Sequence, residues 1–458
     1  MKILFATAEL APFVKVGGLG DFSAGLVATL RNRGIEVEVL LPDYGNLPLN
    51  DAATTEIDLP EWAGEARIRT GNLDGFDVSL VESERLNRPH PYLDAGGRGW
   101  PDNDLRFFIF SMVIASRALE TSPDVLHIND WHTGAALGLM TDPPPSVLTI
   151  HNLAYQGTSS GIWLQALTRR PEAYEWFGDV NPLTGAIALA DRVVTVSPTF
   201  AEEALNPETS FGLSGPLAAR GSDFLGILNG IDTEVWDPSN DPHVGIGYDA
   251  ESIGRKRRIR RQLAAHLGWP DTNEPMIGMV TRLTGQKGVD IALSVVGILD
   301  EVGARMVLLG SGESDLAEMA HYAALRSDRF VFKEGYDEGL SHRIFAGCDL
   351  YLMPSRFEPA GLTQMQAMRY GTIPVVTDVG GLHDTVIDSD ARPDRGTGFV
   401  AAEVDAASVA DALTRAVKAW RSTGRRGAIR RRGMGQDWSW AAPASQYVDL
   451  YEEISSAR

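Results

Sequence analysis

The sequence predicts an α/β protein made of two doubly wound parallel-sheet domains. Short apolar runs alternate with helical patterns along almost all of its 458 residues, the pattern of strands joined by crossover helices. Several runs are uninterrupted, such as Arg305-Met-Val-Leu-Leu-Gly310, which suits strands covered on both faces. Thirteen candidate strands are too many for one comfortable sheet, and the length allows two or three domains.

In the first half the candidate strands are 2–7, 36–41, 78–82, 125–128, 147–150, 192–196 and 225–228. In the second half they are 276–281, 305–309, 330–333, 350–353, 373–376 and 398–401. The seam is expected in 236–274, which holds Trp236-Asp-Pro238, Asp241-Pro242, Gly245 and Gly247. The basic run Arg255-Lys-Arg-Arg-Ile-Arg-Arg261 reads as a solvated helix face rather than a polyanion site.

Composition narrows the function classes. A net charge of −20 argues against a general nucleic-acid binder, which needs a basic face. Hydrophobic content of 44% and charged content of 22% suit a chain that buries a core. The single cysteine, Cys348, excludes an internal disulfide and a cysteine-based zinc site. No stretch approaches the ~18 apolar residues of a membrane span. Glu9 and Lys15 interrupt the N-terminal apolar run before a signal peptide could form, so a cytoplasmic location is expected.

Open α/β sheets bind ligands outside the carboxyl ends of their strands, and the polar motifs fall there. Lys15-Val-Gly-Gly-Leu-Gly-Asp21 follows the first strand, with Asp21 placed to cap the next helix. Its glycines admit close approach, and free amides at a helix start favour an anion, although a tight turn would use glycine equally. His127, Asp130 and His132 lack the spacing that would converge on a metal. His151 stands at a strand end. Arg282-Leu-Thr-Gly-Gln-Lys287-Gly288 puts two cations where a pyrophosphate could be met. Gly310-Ser-Gly312 is a weak glycine turn. Ser355-Arg-Phe-Glu358-Pro-Ala-Gly361-Leu362-Thr363 is the sharpest segment, with Pro359 read as the first helical residue and the amides of Gly361 to Thr363 exposed at the helix start.

Together these segments resemble bacterial glycogen synthases and plant starch synthases. The shared strings include Lys15 to Asp21, Asp130-Trp-His-Thr133, Thr149 to Gly157, Val196-Ser-Pro198, Gly226 to Asp232, Arg282 to Gly288, Gly335-Tyr336 and Ser355 to Pro359. The resemblance implies a GT-B fold, two Rossmann-like domains facing across a deep cleft. It divides the chain into 1–235 on the acceptor side, 236–440 on the donor side, and a last helix in 441–458 that returns to the first domain. It implies transfer of glucose from ADP-glucose to the non-reducing 4-hydroxyl of an α-1,4-glucan with retention, and no metal or other cofactor. Lys15, Gly18 and Asp21 then belong to a loop that meets donor phosphate and sugar. Arg282 and Lys287 neutralise the leaving diphosphate, while Gly335 and Tyr336 flank the base. Glu358 and His151 serve the transferred glucose, and the amides of Gly361, Leu362 and Thr363 cradle phosphate. Asp130, Asn229 and Tyr92 line the sugar subsites. Catalysis would rest on Glu358, His151, Arg282, Lys287 and Asp130.

The chain departs from that pattern in places. Ala360 replaces a usual Cys, Gln366 stands where broader GT-B enzymes carry a second glutamate, Thr184 replaces a common lysine, and 158–181 reads unlike the family. A related transferase using UDP-glucose or a small acceptor is the alternative. A Rossmann oxidoreductase is disfavoured because no strand is followed by G-x-G-x-x-G and an acid ~20 residues on. A glucan lectin would need no diphosphate clamp. The resemblance leaves the oligomeric state open.

Overall fold

The computed structural model describes residues 1–45 and 47–457, and it divides into two compact units. The first comprises Met1–Gly230 with the terminal segment from Trp440; the second is Ile231–Ser439. The division therefore falls at Gly230, just before the stretch 236–274.

The first unit contains β1 (Lys2–Ala6), β2 (Glu36–Pro42), β3 (Asn50–Ile57), β4 (Ala66–Leu73), β5 (Phe76–Glu82), β6 (Val125–Asn129), β7 (Ser146–Ile150), β8 (Glu175–Trp176), β9 (Asp179–Val180), β10 (Arg192–Thr195) and β11 (Phe224–Gly226). Nine of these form one sheet in the order β11-β10-β7-β6-β1-β2-β5-β4-β3. From β11 to β5 every pairing is parallel, and β3 and β4 complete the sheet as an antiparallel edge. Neither β3 nor β4 is among the expected strands. Their sequences, Asn50-Asp-Ala-Ala-Thr-Thr-Glu-Ile57 and Ala66-Arg-Ile-Arg-Thr-Gly-Asn-Leu73, lack an apolar run because antiparallel strands can leave one face to solvent. The short β8–β9 hairpin lies in the divergent segment.

The second unit contains β12 (Met276–Val280), β13 (Arg305–Gly310), β14 (Phe330–Glu334), β15 (Leu350–Met353), β16 (Ile373–Thr377) and β17 (Phe399–Ala401). They form an all-parallel sheet in the order β14-β13-β12-β15-β16-β17. Helices cover it, and Ile277, Met306, Leu308, Leu352 and Val375 are almost wholly buried. All thirteen expected strands are present across the two units.

Helix Ala441–Ser456 packs within the first unit. Tyr451 and Thr149 satisfy both ring nitrogens of buried His127, at 2.6 and 2.8 Å, and Tyr447 lies 3.2 Å from Thr149. Gly25 on helix Gly18–Asn32 admits Trp440, because a Cβ there would lie 1.9 Å from the indole nitrogen. The basic run proves only partly a solvated face. Arg257, Arg258 and Arg261 are exposed, but Lys256 is buried and donates to three carbonyls and Thr372. Arg260 turns inward to Asp349 at 3.0 Å. Among the described residues no helix is long and apolar enough to cross a membrane.

Candidate active site

In the first unit the polar motifs gather at the carboxyl ends of β1, β6 and β7. The loop after β1 is held from below by Glu9, which is only 4% exposed. Its Oε2 accepts from the amides of Val16 and Gly17 at 2.7 and 2.8 Å, and its Oε1 accepts from the Tyr92 hydroxyl at 2.7 Å. Sequence reasoning missed Glu9; its position between the first strand and the glycine loop was the available signal.

Helix Gly18–Asn32 begins with Gly17 at the N-cap and no side-chain cap. Asp21 is therefore not the cap expected of it. It lies in the first turn, where the helix dipole favours a carboxylate, and pairs with Lys15 at 2.7 Å.

Asp130 directly follows β6 with φ +53°, a left-handed conformation that an aspartate tolerates better than most residues. That turn points its carboxylate at the end of β7, where Oδ1 accepts the His151 amide at 2.7 Å. Desolvation raises the Asp130 pKa to about 7 against the bond from the His151 amide, and the charge of Glu9 adds to the rise. Nε2–H of His151 donates to Asn129 at 3.0 Å, which leaves Nδ1 as the lone-pair nitrogen. Desolvation lowers this ring's pKa to about 3, so it is neutral at pH 7. Tyr92 stacks on His132 with centroids 4.9 Å apart; desolvation, then Glu9, keeps its hydroxyl protonated. The Asn229 Oδ1, just past β11, is buried with no partner among the described residues. His127 and His132 do not converge: His127 is fully engaged by Tyr451 and Thr149.

In the second unit the motifs line the carboxyl ends of β12, β14 and β15. Arg282 is exposed, and its guanidinium makes no hydrogen bond or ion pair among the described residues. Lys287 closes a 3-10 turn, Gly285–Lys287, so it precedes the helix Val289–Ser294. Its Nζ donates to both oxygens of Glu358, at 2.8 and 2.7 Å. Ser355 adds a third hydrogen bond to that carboxylate at 2.9 Å. Ser355 was not singled out from sequence.

The turns carrying these residues are bolted together. Arg356 donates its amide to Gln286 O at 2.8 Å and forms a two-pronged ion pair with Asp290 at 2.7 Å. Gly288 has φ +61°, and a Cβ there would lie 1.9 Å from the carbonyl oxygen of Pro354. Only glycine suits both demands.

Helix Thr363–Arg369 starts four residues later than Pro359, with Leu362 at its N-cap. Pro359 is thus a loop residue, because Gly361 at φ +61° interrupts any earlier helix. Thr363 opens the helix, and its hydroxyl contacts the Met353 sulfur at 3.2 Å. Gly335 follows β14 at φ +116°, and Tyr336 beside it is 77% exposed.

Comparison with known proteins agrees with these motifs. Residues 2–219 match the starch synthase catalytic domain, and residues 266–432 match glycosyl transferases group 1. The chain is 40% identical to a glycogen synthase of Halorhodospira halophila, with both chains covered completely. It is 39% identical to a glycogen synthase of Dechloromonas aromatica, over 100% of this chain and 99% of the relative. The chain belongs to the glycogen and starch synthase family. It is therefore a glycosyltransferase of the starch/glycogen synthase type with the GT-B fold. Among solved structures it resembles the catalytic domain of starch synthase IV from Arabidopsis thaliana, in complex with ADP and acarbose. That match has a TM-score of 0.88 and 32% identity, over 99% of both chains. Sucrose-phosphate synthase from Thermosynechococcus elongatus, at 19% identity and TM-score 0.65 over the whole of both chains, shares the fold.

Proposed function

We propose that this synthase transfers glucose from ADP-glucose to the non-reducing 4-hydroxyl of an α-1,4-glucan, with retention and without a metal or other cofactor, in the cytoplasm. The observation that carries the reading is the pairing of Lys287 with buried Glu358 next to a turn that presents Arg282 unengaged. An uncompensated guanidinium beside a fixed ammonium suits a diphosphate leaving group. The Arabidopsis relative bound to ADP and acarbose supports an adenine nucleotide and a glucan.

In this mechanism the bond from glucose C1 to the phosphate oxygen breaks and its electron pair stays with ADP. The acceptor 4-oxygen bonds to C1 on the same face, and its proton passes to the departing phosphate. Arg282 and Lys287 stabilise the charge that grows on the diphosphate, so they act most strongly in the transition state. The amides of Gly361, Leu362 and Thr363 hold phosphate oxygens, and Tyr336 packs on the base beside Gly335. We assign Lys15, Gly18 and Asp21 to the donor as well, from the likeness of their loop. Asp130, Tyr92 and Asn229 order the sugars, and neutral His151 offers a lone pair to the transferred glucose.

Glu358 is a stabilising carboxylate in this scheme. A glycosidase-type double displacement uses two carboxylates about 5 Å apart. Here three hydrogen bonds, two from Lys287 and one from Ser355, occupy the oxygens of Glu358, and Gln366 stands eight positions on.

Incubation with a glucan primer and either ADP-glucose or UDP-glucose tests the proposal. It predicts chain extension that is fast with ADP-glucose and slow with UDP-glucose. Faster extension with UDP-glucose, or a small glycoside as the only product, would refute it.

A further inference from the structure

We propose that His243, Glu338 and His342 in the second unit form a binding site for a transition-metal dication, with zinc the best chemical match. One donor atom from each residue lies within 4.8 Å of the other two. Glu338 and His342 are one turn apart on helix Glu338–Gly347, so their side chains share a face. His243 reaches them from the turn that follows Asp241.

The strongest observation is the state of His342. Its ring is 1% exposed and stacks flat on Trp236, with centroids 4.1 Å apart and planes 10° from parallel. Nδ1 lies 2.8 Å from Asp241 Oδ2, which also accepts the Tyr370 hydroxyl at 2.5 Å. A carboxylate accepts, so Nδ1–H donates to Asp241 and Nε2 of the neutral ring carries the lone pair. That Nε2 is buried and has no hydrogen-bond partner among the described residues. An unmatched polar atom in the interior calls for an explanation. A carboxylate behind a histidine is the usual means of fixing tautomer and ring orientation for metal ligation.

Asp241 positions a second ligand too, since its Oδ1 accepts the His243 amide at 2.8 Å. One carboxylate thus orients the His342 imidazole and anchors the backbone that carries His243. Two imidazoles and a carboxylate suit zinc, whereas magnesium and calcium prefer all-oxygen sites. Three protein ligands leave a fourth position for water. Tetrahedral zinc puts its ligand atoms about 3.4 Å apart. His243 and Glu338 are exposed and can close the remaining gap, while His342 stays fixed. The bound ion would tie the 241–244 turn to the helix start, two residues beyond Tyr336. It takes no part in the transfer step.

Sequence reading overlooked this set because His243 and His342 lie on separate elements far apart in the chain.

The test is calorimetric titration of the chelator-stripped full chain with zinc chloride, with magnesium chloride as control. One zinc per chain with micromolar or tighter affinity is expected, along with a higher thermal unfolding midpoint. His243→Ala and Glu338→Gln, both at exposed positions, should each weaken binding at least ~10-fold and reduce the thermal shift. No saturable binding at micromolar zinc would overturn the proposal. So would unchanged stoichiometry and affinity in both variants, which would place the zinc on other pairs such as His321 with Glu334.

Discussion

Lys287 and Glu358 lie 71 positions apart in the chain, yet the ammonium meets both carboxylate oxygens within 2.8 Å. The pair fixes the Glu358 carboxylate and holds the Lys287 ammonium at the end of β15, where the proposed mechanism sets them to work on sugar and diphosphate. Removing one partner leaves the other charge poorly compensated in a largely buried place. Lys287→Ala and Glu358→Gln should therefore each destabilise the second unit, by up to ~3 kcal/mol. Denaturant titration of a double-mutant cycle checks this; strictly additive losses would show that the pair is not coupled.

Gly288 is the hinge of the same arrangement. Gly288→Ala meets both a positive φ and the Pro354 carbonyl oxygen. It should cost about 2 kcal/mol or more and lower kcat by displacing Lys287. Gly285→Ala is the control, because a Cβ there has nothing within 4 Å. Equal behaviour of the two variants in thermal unfolding and turnover would remove the steric argument.

The first unit should lose stability as pH falls from about 6.5 towards 4. His127, His132 and His151 each have a pKa pushed from 6.5 to about 3, first of all by desolvation. In that window the unfolded chain binds protons that these folded rings refuse, so acid favours unfolding. Asp130 opposes them, because its pKa rises from 3.8 to about 7 and the folded state takes up its proton first. Three losses against one gain leave a net fall. Hydrogen exchange of β6 and β7 at pH 7.5 and 5.0 reads this directly, and equal or stronger protection at pH 5.0 would contradict it.

The sheets were legible because buried parallel strands are apolar runs; β12 (Met-Ile-Gly-Met-Val) and β13 stand out without any neighbour. β3 and β4 were not, since antiparallel strands with one face in solvent need no apolar run. Motif positions were legible too, because polar residues break the pattern directly after strands. The contacts that orient them were not. Glu9 acts on an amide seven residues on and a tyrosine 83 residues on, and neither spacing leaves a periodic signal. Asp21 and Pro359 show a local limit: each has a helix-start preference, but Gly17 holds the N-cap in one case and Gly361 delays the helix in the other.

Turnover of Arg282→Ala is the most direct measurement. Arg282 has no structural partner among the described residues, so its loss should leave stability unchanged. If it meets charge that grows on the leaving diphosphate, kcat with ADP-glucose falls by ~10²-fold or more. Arg282→Lys restores only part of it, because the planar fork is lost. An alanine variant with the parent's kcat and only a higher KM for ADP-glucose would make Arg282 a uniform binder, and would contradict leaving-group stabilisation as the basis of catalysis.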